Sequence, residues 1–291
     1  MIVNLPKFFV LGPPHRGISW LSHLLHTHGE IFLPNQGNLN YFSNDDFYRK
    51  GIGYYYSLYS NAPENLVKGD IAPDYLLYPN KVIKRLRYLY SSDISDLRFV
   101  VYLKNPVVRL LDDYLNNRDN GLEDLSLENA IEREKILLQN QQFTKRGMSL
   151  GLYLSSSRYY SLLKPWLDTF SNEQFFFITD IDLDRNSEET ISRMFNFLGV
   201  NPNYVEGLAV RKNGLMDMPL INGIKNFLFK DVISNGFKNG KPVLDESDRL
   251  QQAEIPFHVS EMLYDEVERL EQILGQKFSR WFANAPGIYT M

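Results

Sequence analysis

Residues 7–25 read KFFVLGPPHRGISWLSHLL. Lys7 to Leu11 is a short run of aromatic and β-branched residues that ends at Gly12-Pro13-Pro14, the pattern of a buried strand entering a turn. From Ser19 to about His28, Trp20, Leu21, Leu24 and Leu25 recur at helical spacing. A strand, a glycine-framed turn and a helix in that order leave free backbone N–H groups at the helix start, where the helix dipole also favours negative charge, so the turn can hold a phosphate. A nucleoside-triphosphate P-loop needs lysine after its second glycine; Ile18 stands there, which argues against metal-assisted γ-phosphate chemistry. The same turn also suits a plain connection in which Gly17 allows close packing and His15 and Arg16 face water.

The unit recurs along the chain. Leu97 to Leu103 (LRFVVYL) reads as a second buried strand, halted by Asn105-Pro106, and Val107 to Asn117 places Val107, Leu110, Leu111 and Tyr114 on one helical face. A third strand is expected at Gln174 to Ile178 (QFFFI), followed by a polar turn from Asp180 to Arg185 and a helix from Ser187 to Leu198 that stops at Gly199. Near-continuous apolar strands alternating with amphipathic helices predict an α/β fold, a central parallel sheet with helices on both faces. No linker divides the chain, so residues 1–291 are expected to form a single domain. Tyrosine-rich and helical insertions lie between the units, and Ser260 to Leu274 closed by Gly275 forms a strong amphipathic helix. Lys81, Lys84, Arg85 and Arg87 read as a solvated helix face.

Composition narrows the function classes. The 291 residues carry 31 Lys+Arg against 35 Asp+Glu and no cysteine. That length can bury a large core, and the absence of cysteine excludes disulfide frameworks, cysteine zinc sites and thiol nucleophiles. Slight acidity argues against nucleic acid held by bulk charge, so any anion site must be locally built. No run approaches the roughly 18 apolar residues of a membrane span, and the start lacks a signal-peptide pattern; a soluble, cytoplasmic protein is expected. His23, His26 and His28 do not share one helical face, and no metal site is expected from them.

Several blocks resemble the PAPS-dependent sulfotransferase family. FFVLGPPHRGISWLSHLL occupies that family's strand, P-K-S-G-T-T turn and helix; EIFLPNQGNLNYFS is similar to I-x-L-P-x-x-K-E-x-H-Y-F-S, and GDIAPDYLL to G-E-K-S-P-x-Y-L. VVYLKNPVVRLLDDY resembles the 3′-phosphate motif L-R-N-P-x-x-R-A-x-S-x-Y, and GLYLSSSRYYSLLKPWLDTF, MFNFLGV and YDEVERLEQILGQKFSRWF resemble later blocks, in the same order. The resemblance implies a sulfotransferase-like α/β domain with a P-loop-like first turn, using PAPS, with no metal, to sulfonate a hydroxyl or amine of a small molecule. It places the donor on Pro14, His15, Arg16, Gly17, Ile18 and Ser19, with Lys104 and Asp112 at the 3′-phosphate and a closing loop at Lys238, Asn239, Gly240 and Lys241.

The chain departs from the pattern at charged positions. His15 replaces the turn lysine, so His15 or Arg16 must serve the leaving phosphate, and Ile18 lacks a hydroxyl that the family uses. Lys104 keeps charge without bidentate geometry. Asp112 stands where a phosphate-binding serine is usual, and a carboxylate there either repels the phosphate or pairs with Lys104, Arg109 or Arg16 and fills the site. Asn38 occupies the position of a catalytic glutamate and has no useful basicity; Gly37 and Ile71 replace lysines. Asp70 and His15 are then the first candidates for a base. Residues 236–242 read either as the family's closing loop or as a solvated turn. Tyr41, Phe42, Tyr54 and Tyr55 suit either an apolar or aromatic acceptor or the core. Two readings follow: a divergent sulfotransferase, or a relative that no longer uses PAPS and binds or transforms another ligand in the same pocket.

Overall fold

The computed structural model describes residues 5–12, 16–34, 39–139, 151–207, 255–278 and 281–282. They group into two units. The first takes in the described residues up to Lys104 and from Arg158 to residue 207; the second takes in the rest.

The first unit holds a five-stranded parallel sheet. Its strands are β1 (Phe8–Leu11), β2 (Ile31–Phe32), β3 (Val67–Ile71), β4 (Arg98–Leu103) and β5 (Phe175–Thr179), in spatial order β2-β3-β1-β4-β5. The register sets Phe9 beside Asp70 on β3 and beside Phe99 on β4. Alternation then splits the strands into two buried faces. Phe8, Val10, Val100, Tyr102 and Ile178 pack against α1 (Arg16–Thr27) and α9 (Asp180–Leu198) through Leu21, Leu25, Met194 and Phe195. Phe9 and Phe99 face the opposite layer, where Phe9 meets Phe42, Tyr75 and Tyr90, and Phe99 meets Trp166 and Phe170. α3 (Ile52–Ser57), α4 (Asp74–Leu77), α5 (Pro79–Tyr90) and α8 (Tyr159–Leu167) contribute buried residues to that layer, and α2 (Asp45–Arg49), which buries none, precedes them in the chain. Helices cover both faces, as the apolar strands predict.

Three strand–helix units lie where the sequence places them, and two strands do not appear in the apolar pattern. β3 reads VKGDI and carries Lys68 and Asp70, both buried, so hydropathy hides it. Gly69 is required there, because a Cβ would lie 2.1 Å from the Phe8 ring. The stretch expected as a polar turn, 180–185, is the first part of α9: Thr179 and Asp182 form a reciprocal capping box, and the helix is interrupted at Asn186 (φ −141°, ψ 54°). Gly199 ends α9 in the left-handed conformation, as its position predicts.

The second unit contains α6 (Pro106–Asp119), α7 (Leu127–Gln139), residues 151–157 and α10 (Phe257–Leu274). The Asn105 side chain caps α6 through Val107 N–H at 3.0 Å and Val108 N–H at 3.3 Å, and Pro106 follows at the first helical position. Arg109 is fully buried; its Nε donates to Ser157 Oγ at 2.7 Å, one terminal nitrogen to Asp113 at 2.7 Å and the other to the Tyr153 carbonyl. Glu134 receives the Leu154 and Ser155 N–H groups at 2.9 and 2.6 Å, which ties 151–157 to α7.

Candidate active site

Strand order decides where a ligand sits on such a sheet. The chain leaves β1 toward β2 on one side and leaves β4 toward β5 on the other, so the connections diverge between neighbouring strands β1 and β4. Ligands of open α/β sheets bind outside the carboxyl ends of the strands at this switch point. Gly12 follows β1 there, and Lys104 follows β4.

Gly12 is dictated by its neighbour: a Cβ would lie 2.6 Å from the Tyr102 carbonyl oxygen and 2.9 Å from Ile18 Cδ1. This brings the end of β1 against β4 and leaves the N-terminus of α1, beginning at Arg16, at the carboxyl end of the sheet. The first-turn N–H groups of a helix have no intrahelical acceptor, and here they follow a glycine turn with no acidic residue in the first turn. The arrangement fits a phosphate or sulfate. Ile18 is buried in the apolar layer with Leu21 and Leu24, so its side chain turns into the core, and its backbone N–H is what it offers to a ligand.

Lys104 is half-buried, and its carbonyl accepts the Tyr159 hydroxyl at 2.9 Å. Asp112, in the second unit, is half-buried on α6. Arg109, one of the partners considered for it, bonds to the adjacent Asp113 instead. Pro14, His15, Asn38, Lys238, Asn239, Gly240 and Lys241 lie outside the described residues, as do the side chains of Arg16, Gly17 and Ser19.

Asp70 sits inside a tyrosine cage. Its Oδ2 accepts Tyr55 Oη–H at 2.6 Å and Tyr75 Oη–H at 2.9 Å, and its Oδ1 is buried with no partner among the described residues. Burial pushes the carboxyl up to about 7, against the two hydroxyl bonds that favour its ionised form. Tyr55 and Tyr75 are in turn held well above the usual phenol range by burial and by the Asp70 charge. Tyr41, Phe42 and Tyr55 are core residues, Tyr41 stacking on Tyr55 at 4.4 Å, while Tyr54 stacks on Phe47 under Lys50. Tyr55 belongs to the cage, and Tyr41 and Phe42 pack against it.

Asp74, in the variable position of the GDIAPDYLL block, was not singled out by sequence reasoning. It is buried at the start of α4, and desolvation alone raises it to about 6. His28 is structural: its Nε2 bonds the Asn201 carbonyl at 3.1 Å, its Nδ1 accepts Glu30 N–H at 3.1 Å, and Phe195 and Tyr204 flank the ring. No group of three metal-ligating side chains occurs among the described residues, nor a helix long and apolar enough to cross a membrane.

The model of the sulfotransferase domain matches residues 5–282. The chain belongs to the sulfotransferase family. A sulfotransferase from Alicyclobacillus acidocaldarius shares the fold, with a TM-score of 0.66 and 20% identity over 96% of this chain and all of that one. Heparan sulfate glucosamine 3-O-sulfotransferase 3A1 of Mus musculus is 23% identical over 198 residues, 68% of this chain and 46% of that protein. The membrane-associated sulfotransferase kil1 of Dictyostelium discoideum is 26% identical over 148 residues, 47% of this chain and 30% of that protein. The sulfotransferase chain described here thus spans less than half the length of these two relatives.

Proposed function

We propose that this protein transfers a sulfuryl group from PAPS to a hydroxyl or amine of a small molecule. The observation that carries the reading is the start of α1 close after Gly12 at the β1/β4 switch point, where a helix N-terminus suits an anion, in a chain of the sulfotransferase family. In this reading the N–H groups from Arg16 onward hold the 5′-phosphosulfate, and His15 or Arg16 neutralises the departing phosphate oxygen. Lys104, at the end of the adjacent strand, supplies charge for the 3′-phosphate, with Lys238 and Lys241 closing over it. Asn38 orients the acceptor without acting as a base, and Asp70 stiffens the acceptor side through its tyrosines. In this reading the two units belong to one sulfotransferase domain, a reading supported by a family match that includes residues of both. Two relatives are named for the sulfation of a saccharide, whose hydroxyl falls within the same acceptor chemistry.

The second reading, a relative that has given up PAPS, draws on the carboxylate of Asp112 at the serine position and on the loss of the Ile18 hydroxyl. Ligand-induced stabilisation separates the two. A ligand at a hundred times its Kd stabilises the folded state by about 2.7 kcal/mol. Adenosine 3′,5′-bisphosphate at millimolar concentration should therefore raise the melting temperature by several degrees, and no shift would favour the second reading.

A further inference from the structure

The basic residues of α5 divide into two pairs. Lys81 and Arg85 are both tied to Asp45. Lys84 and Arg87 lie three residues apart, on one face of the helix, and among the described residues no hydrogen bond or ion pair engages either side chain. They border a cavity of about 320 Å³ between α5 and α8, whose other lining residues are Asn80, Ile83, Pro165 and Thr169. None of these carries a carboxylate, and Asp168, next to Thr169, is already tied to Lys164. In a chain with a net charge of -4 the hollow is locally positive, where the sequence alone shows only a solvated helix face.

The cavity lies at the end of the sheet opposite the switch point. Tyr90, the last residue of α5, donates its hydroxyl to the Pro6 carbonyl at 2.7 Å, just before β1, and Thr169 follows α8 in the stretch that leads into β5. Arg87 and Thr169 are therefore near the amino ends of the strands, whereas Gly12 and Lys104 follow the carboxyl ends. The walls offer two kinds of surface. Ile83 is buried and Pro165 half-buried, and both are apolar. Lys84 and Arg87 are exposed and supply charge, and Asn80 adds a neutral amide donor. Thr169 Oγ–H donates to the Pro165 carbonyl at 2.8 Å, which fixes that side chain on the rim. A guanidinium matches two oxygens of a tetrahedral oxyanion, and an ammonium one turn away can take a third. The volume falls at the small end of ligand sites, roughly 300–1,000 Å³, which suits a small molecule rather than a polymer.

We propose that the groove between α5 and α8 binds a small organic ester of sulfate or phosphate, with the oxyanion on Lys84 and Arg87 and the carbon body against Ile83 and Pro165. This site is separate from the proposed donor site and does not depend on it. A free inorganic anion offers the same head group but leaves the apolar wall in water, so it binds more weakly than the ester. Both cations are exposed, which sets the affinity in the millimolar range and makes it fall as salt is added.

Phenyl sulfate and phenyl phosphate serve as probes, with inorganic sulfate as the control, and the amide resonances of the isotope-labelled full chain report where each binds. At least one ester should shift the amides of Lys84, Arg87 and Thr169 saturably in the millimolar range, and the tighter of the two identifies the head group. Replacing both cations, Lys84→Ala with Arg87→Ala, should weaken that binding at least about ten-fold without lowering the melting temperature. The charge-conserving pair Lys84→Arg with Arg87→Lys should keep most of it, and Lys104→Ala, at the proposed donor site, should leave it unchanged. Absence of saturable shifts at these residues with either ester would overturn the proposal. So would shifts that persist undiminished in the double alanine variant, or that disappear in Lys104→Ala. Inorganic sulfate binding as tightly as the esters would overturn the assignment of an ester, since the apolar wall would then contribute nothing.

Discussion

Asp70 is a carboxyl group held where its charged form is disfavoured. The folded value of about 7 lies above the usual 3.8, so between roughly pH 4 and pH 7 the native state binds a proton that the unfolded chain has released. Linkage then makes stability fall as pH rises through that window and level off above it, by a few kcal/mol in order of magnitude. Asp74 adds to the same trend at somewhat lower pH, its folded value being about 6. Denaturant melts should show the wild type losing stability relative to Asp70→Asn between pH 5 and pH 8. A stability difference between the two that does not change with pH would mean that Asp70 does not titrate in the folded protein within that window. The carboxylate and its tyrosines were visible in the sequence as separate features. Their meeting was not, because Tyr55 arrives from α3 and Tyr75 from α4, and nothing local in either segment marks its hydroxyl as directed at β3. Asp74 carried no signal at all; burial of a carboxylate is a property of the folded chain.

At the scale of elements, legibility tracked how far local pattern and tertiary environment agree. β1, β4 and β5 are buried on both faces and read as apolar runs, and the helices after them show their periodicity plainly. β3 is buried just as deeply, yet its sequence is half polar. Lys68 reaches the Glu64 carbonyl at 3.0 Å, four residues back, while Gly69 makes room for Phe8 and Asp70 enters the tyrosine cage, so two of the three exceptions are met by partners distant in sequence. The turn expected at 180–185 is helical because capping by Thr179 and Asp182 outweighs the polar composition. Arg109 is the counterpart on α6. In the 3′-phosphate block it stands as a possible partner of Asp112, but its three donor nitrogens bond to Ser157, Asp113 and Tyr153 in the second unit. Truncating Arg109 leaves Asp113 without its cation and the Tyr153 carbonyl without its donor, so Arg109→Ala should lower stability by about 3–5 kcal/mol. Chemical denaturation measures this, and a loss below about 1 kcal/mol would show that the network does not anchor α6.

For the whole molecule, the proposed donor site sits at the switch point of a sulfotransferase-family chain, and several positions where the family resemblance implies cations carry neutral side chains in this sequence. On the proposed reading the site draws more on backbone N–H groups and on Lys104 than on a cluster of charges. Isothermal titration with adenosine 3′,5′-bisphosphate and with 5′-AMP, which lacks the 3′-phosphate, tests that account most directly. The bisphosphate should bind at least about ten-fold tighter, and Lys104→Ala should erase most of that difference without lowering the melting temperature; one charge-assisted contact is worth about 1.5–3 kcal/mol. Equal affinities for the two nucleotides, or no binding of either at millimolar concentration, would contradict it.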